Sequence, residues 1–204
     1  MIVIGLDVGQ ARDHAARVII RATEQARAVG HRFVWDVLDV AHVPLDTSYA
    51  AIVGHTVALA DDFASEGYPC LVALDASGVG RALLEQARTR QRACPPGRCA
   101  PVVGITSTAS ATPGGQWPDL TAPKRAMLDA VAVALKQRGL RLHTSRSPDD
   151  ATLARELRAM THKPNGRREA AGSGHDDLAM ALTYAVWLGD QLTDQQHRYR
   201  AHAG

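Results

Sequence analysis

Three groups of aspartates fall where a buried carboxylate would do chemistry. Asp7 ends the apolar run Ile2-Val3-Ile4-Gly5-Leu6, and Asp75 ends a second, Cys70-Leu71-Val72-Ala73-Leu74. Asp176 and Asp177 open a strongly apolar helical stretch, residues 178–188. A carboxylate at the end of an otherwise buried strand is costly, because removing an unpaired charge from water takes several kcal/mol or more. Such groups persist where something positive compensates them. Lysines are only Lys124, Lys136 and Lys163, so a divalent cation is the compensation that the pattern suggests. Two such ions about 3.5–4 Å apart would activate a water and stabilise the leaving oxygen in phosphodiester hydrolysis. The acids therefore predict a metal-dependent enzyme acting on phosphates.

The elements that must position these acids follow from periodicity and turn residues. Residues 2–7 read as a first strand, 14–21 as a second and 32–43 as a third, with short turns at Gly9–Asp13 and Gly30-His31 that imply an antiparallel meander. Helical spacing runs over 47–66 and stops at Gly67. The uniformly apolar run into Asp75 is the mark of a strand covered on both faces. A tight turn, a helix over 81–92 and a fifth strand over 100–105 come next. Residues 106–122, rich in Ser, Thr, Gly and Pro, predict a mobile loop, and Pro123 suits the first turn of a helix to about 138. A brief strand at 140–142, a helix over 148–160, a basic loop or hairpin at 163–174 and a last helix over 175–192 complete the reading. This is an α/β chain with a mixed central sheet, an antiparallel meander joined to parallel strands, and helices on both faces. One domain spans residues 1–192, and 193–204 read as a polar, frayed tail.

Strands one and four then lie side by side and parallel, about 4.8 Å apart, so that Asp7 and Asp75 share one end. On the last helix Asp177, Ala181, Tyr184 and Leu188 form one stripe, which turns Asp177 toward the strands while Asp176 sits about 100° round. Each acid also has a plainer reading. Asp75 before Ser-Gly suits a turn, Asp13 suits a turn, and Asp176 and Asp177 suit a helix start. The conjunction carries the chemistry.

Composition removes several classes. At 204 residues with net charge +2, the chain has an ordinary apolar share and room for a real core. No apolar run approaches the roughly 20 residues of a membrane span, and Met1 leads directly into a strand with no signal peptide visible. Three cysteines argue against a disulfide framework; Cys94 and Cys99, flanking Pro-Pro-Gly-Arg, read as free thiols on a loop. The expected compartment is cytoplasmic. No Walker-type phosphate loop occurs.

The segments Ile4-Gly5-Leu6-Asp7-Val8-Gly9, Leu74-Asp75-Ala76-Ser77-Gly78-Val79-Gly80, Pro123-Lys124-Arg125 and Gly174-His175-Asp176-Asp177-Leu178-Ala179-Met180-Ala181-Leu182 resemble, in order and spacing, the C-terminal nuclease domain of tailed-phage terminase large subunits. The resemblance implies a ribonuclease H-like fold and Mg²⁺- or Mn²⁺-dependent cleavage of double-stranded DNA during genome packaging, leaving a 3′-hydroxyl and a 5′-phosphate. It implies that Asp7, Asp75 and Asp177 are the metal-binding, catalytic carboxylates, with Asp176 and Asp13 as further metal candidates. It also implies a packaging ATPase domain or subunit, a portal and a small terminase subunit as partners, at the portal vertex of a procapsid in the host cytoplasm. The family's large subunits carry an N-terminal packaging ATPase that these 204 residues do not include, so the chain is either an excised domain or a separately encoded nuclease whose motor lies elsewhere.

Lys163, Arg167 and Arg168, just before the last helix, and Lys124, at a helix start, are placed to contact DNA phosphates; a solvated basic loop is the alternative for the first three. Three other readings use the same residues. A Holliday-junction resolvase or another ribonuclease H-like nuclease would differ in substrate. A non-catalytic docking module of the packaging machine would keep the fold without cleavage. An actin-like sugar kinase or ATPase would need duplicated domains and a glycine cluster that this chain lacks.

Overall fold

The computed structural model of the chain describes residues 1–9, 14–24, 33–95, 98–142, 147–161 and 176–202. Eight strands form one sheet. They are β1 Ile2–Asp7, β2 Ala16–Glu24, β3 Phe33–His42, β4 Cys70–Asp75, β5 Val102–Thr108, β6 Gly114–Gln116, β7 Asp119–Pro123 and β8 Leu140–Arg141. The helices are α1 Tyr49–Ser65, α2 Val79–Arg92, α3 Lys124–Lys136, α4 Pro148–Thr161 and α5 Asp177–His202. Strand order across the sheet is β6-β7-β5-β4-β1-β2-β3-β8. β1, β2 and β3 form the antiparallel meander, while β4 runs parallel to β1 and β5 parallel to β4. Helices cover both faces of this mixed sheet.

The central strands are buried on both sides, which is why β1 and β4 read as unbroken apolar runs. On one face, Ile2, Ile4, Leu6, Val72 and Leu74 pack against Ile52, Val53 and Val57 of α1 and Leu83, Leu84 and Ala87 of α2. On the other, Val3, Val18, Ile20, Leu71 and Val103 meet α3, α4 and above all α5. From Leu178 to Leu188 every residue of α5 is buried, so this helix is core on all sides.

Close approach between α5 and the sheet depends on small residues. A Cβ built on Gly5 would stand 1.9 Å from the Ala181 carbonyl oxygen and 3.1 Å from the Ala185 Cβ. Farther along, Gly189 leaves room for the indole of Trp35, whose Nε1 donates to Asp190 Oδ1 at 2.9 Å. At the other helix layer, a Cβ on Gly80 would meet the Asp75 carbonyl oxygen at 1.8 Å. The first turn of α2 therefore lies directly against the end of β4.

Several details differ from the sequence reading. Residues 106–122 are not a mobile loop: β5 runs on to Thr108, and β6 and β7 form an edge hairpin, β7 pairing parallel with β5. Its Gly114-Gly115-Gln116 strand is exposed and carries no apolar alternation, so periodicity does not reveal it. Pro123 is the N-cap of α3 rather than part of its first turn. Cys94 and Cys99 are joined in a disulfide, their Cα atoms 6.2 Å apart, within the span a bridge requires. Only Cys70 is free, and it is buried. α5 continues to His202, well past 192, since extending an already packed helix needs no new nucleus. Among the described residues no helix is long and apolar enough to cross a membrane.

The glycine contacts give a paired expectation. Gly5→Ala should destabilise the fold by about 1–3 kcal/mol through overpacking against α5. Gly54→Ala, whose Cβ meets nothing closer than Arg90 Nη1 at 3.6 Å inside α1, should raise stability by about 0.5–1 kcal/mol. Urea denaturation of the two variants measures both; a neutral Gly5→Ala would mean that α5 does not rest on β1 as described.

Candidate active site

The parallel strands place their C-terminal ends along one edge of the sheet, where open α/β sheets bind ligands. Leu6 pairs with Leu74 in register, so Asp7 and Asp75 leave adjacent strands side by side. One strand farther out, Ile105 pairs with Asp75, which puts Ser107 just beyond it on the same edge. Next, Thr108 pairs with Pro123, so Lys124 begins α3 at that edge too. The α5 stripe arrives from above. Ala181 sits on Gly5, one helical turn from Asp177, and Tyr184 faces Asp75.

Electrostatics shows how closely the acids are gathered. Burial, then the charges of Asp75, Asp177 and Asp176, hold the Asp7 carboxyl well above the usual carboxylate range, with Lys124 acting against them. Asp75 is also raised by burial. Its Oδ1 accepts the Ser77 backbone N–H at 2.9 Å, and the Ser77 and Tyr184 hydroxyls and Lys124 all favour its charged form. Burial and the charges of Asp75 and Asp7 push the Tyr184 phenol up, so it remains protonated and acts as a donor. Lys124 itself is exposed.

A fifth carboxylate stands beside these, which sequence reasoning passed over. Glu156 of α4 is only 6% exposed, and its Oε2 accepts the Ala179 N–H in the first turn of α5 at 2.9 Å. Burial raises its pKa, opposed by that N–H and by His42, while Asp177 and Asp176 raise it further. Its sequence signal was a charge on an apolar stripe: Leu153, Glu156, Leu157 and Met160 share one side of α4 at helical spacing.

Asp7, Asp75, Asp176, Asp177 and Lys124 are thus brought to one place. Asp13, Lys163, Arg167 and Arg168 lie outside the described residues. Among the described residues, no three His, Cys, Asp or Glu side chains close into a ready-made cage around a point. The donors facing the edge are carboxylate oxygens, the set that suits a hard divalent ion, and their mutual repulsion is what such an ion would relieve.

No family model matches the sequence, and no curated protein matches it. A solved structure of RuvC from Thermus thermophilus is similar at 14% identity, covering 94% of this chain and 97% of that chain, with a TM-score of 0.38. So loose a likeness carries no argument about activity or about individual residues.

The raised Asp7 pKa has a sign that can be checked. With a folded value above the unfolded one, the folded protein holds this proton more tightly, so the group's stabilising contribution is complete below the unfolded value near 4 and is lost as pH rises through the folded value. In chelator, wild type should therefore lose stability from about pH 4 upward. Asp7→Asn should flatten that slope and be the more stable protein at pH 7. Urea midpoints across pH measure it; a variant less stable than wild type at pH 7 would contradict the crowding of charge.

Proposed function

We propose that the chain is a divalent-metal-dependent endonuclease that hydrolyses double-stranded DNA. The observation that carries this reading is the convergence of Asp7, Asp75, Asp176 and Asp177 from β1, β4 and the head of α5, with Lys124 a cation that acts on both strand acids. Asp7, Asp75 and Asp177 would hold Mg²⁺ or Mn²⁺, with Asp176 beside them. When bound, two such ions supply an activated water and stabilisation of the leaving oxygen. The Ser77 N–H, by fixing Asp75 Oδ1, orients that carboxylate, and the first turn of α2 holds the Ser77 turn in place. Lys124 is exposed, and its ammonium would meet a substrate phosphate as a point charge.

The narrower assignment rests on the sequence motifs. Their order and spacing support a terminase large-subunit nuclease that cuts DNA during viral genome packaging, working with a packaging ATPase, a portal and a small terminase subunit in the host cytoplasm.

Supercoiled plasmid incubated with Mg²⁺ or Mn²⁺ tests the activity. Wild type should nick and linearise it, and Asp75→Asn should slow cleavage by about 10²–10³-fold or more. Cleavage that survives the substitution would place the chemistry elsewhere. Cleavage confined to four-way junctions would shift the assignment to a resolvase, and metal binding without any cleavage would leave a docking module.

A further inference from the structure

Helix α5 starts in an unusual way for this chain. Its first intrahelical bond runs from the Met180 N–H to the Asp176 carbonyl at 2.8 Å, which makes Asp176 the N-cap residue and Ala179 the third residue of the helix. An N-cap aspartate ordinarily turns its own carboxylate back onto that third N–H. The other helices with side-chain caps follow the rule. Ser48 accepts the Ala51 N–H at the start of α1, 3.3 Å away. At α4, Ser147 Oγ accepts the Asp150 N–H at 3.1 Å while Asp150 Oδ2 accepts the Ser147 N–H at 3.0 Å, a reciprocal capping box.

At α5 the third N–H instead goes to Glu156, from a different helix. Asp176 is exposed, and its carboxylate contributes to the field on Asp7 and Glu156. Glu156 is well fixed for this work. Leu153 and Leu157 bury its stretch of α4, and Asp149 ties the start of α4 to β3, accepting the His42 backbone N–H at 2.9 Å and pairing with His42 Nδ1 at 2.7 Å.

We infer that Glu156 is a positioning residue that caps α5 in place of Asp176, releasing the Asp176 carboxylate to serve the acidic site. The role rests on the proposed metal site, and it acts at one remove: Glu156 touches the helix, and Asp176 would serve the bound ion. Without Glu156, the Asp176 side chain becomes the nearest acceptor for the Ala179 N–H and turns away from Asp7.

Mn²⁺ binding measured by calorimetry on the 204-residue chain reads this directly. Glu156→Ala should weaken Mn²⁺ by about 10–100-fold, the range for a group that orients ligands. Glu156→Gln, which keeps an acceptor for the N–H, should stay within about threefold of wild type. In an Asp176→Ala background, Glu156→Ala should have little further effect, because both act through one carboxylate. Equal affinity in wild type and Glu156→Ala, or independent losses in the double variant, would overturn the inference. Should Glu156→Ala not fold, metal-free Asp176→Ala decides: a non-capping aspartate leaves the urea midpoint unchanged or higher, and a lowered midpoint would show that Asp176 caps its own helix. Wild type that binds no Mn²⁺ would overturn the metal reading, while those metal-free midpoints would still judge the cap.

Discussion

Everything at the acidic edge depends on how closely α5 lies on β1. That distance is set by the absence of a side chain at Gly5 and by the short ones at Ala181 and Ala185. Residue 5 is two positions before Asp7, and Ala181 is one helical turn after Asp177, so the contact that seals the core also fixes the gap between the two acids. A wider separation would relieve the packing and lose the site at once. The buried leucines of α5 supply the counterweight: Leu178, Leu182 and Leu188 are each wholly buried and contribute roughly 1.5–3 kcal/mol apiece.

The sheet and the helices contribute acids by different physical routes. Asp7 and Asp75 share an edge because parallel pairing in register leaves them no choice, and Gly80 lets α2 close down behind Asp75. Asp176 and Asp177 arrive on a helix whose own start is held by Glu156. Of the described groups acting on Asp7, the carboxylates raise its pKa and Lys124 alone opposes them. Apolar packing on both sides of the sheet holds these acids together.

Much of this was legible in the sequence, for reasons that differ by element. The unbroken apolar runs ending in Asp7 and Asp75 announced central strands, because only strands covered on both faces look that way. The stripe of Asp177, Ala181, Tyr184 and Leu188 announced which side of α5 meets the sheet, where Ala181 lies on Gly5 and Tyr184 reaches Asp75. Where signals were weak, the reading slipped. The exposed glycine strand of the β6–β7 hairpin has no periodicity to detect, and Cys94 and Cys99 are paired through a turn whose shape spacing alone does not give. Glu156 was hidden because one charge on an amphipathic helix reads as a solvated position until the neighbouring helix is known. Its discovery also bears on Asp176, whose plainer reading as a helix-start residue loses its usual hydrogen bond.

The acids come from opposite ends of the chain, Asp7 on the first strand and Asp177 at the head of the last helix. Closing them together is among the most non-local steps in the fold, and such contacts form late because their loop entropy must be overcome first. During synthesis, the strand bearing Asp7 emerges long before its helical counterpart exists. A partly made or partly unfolded molecule therefore carries aspartates but no site. Topology acts here as a safety catch: pairing of β1 with β4 brings two acids together, and all four meet only once the last helix is in place.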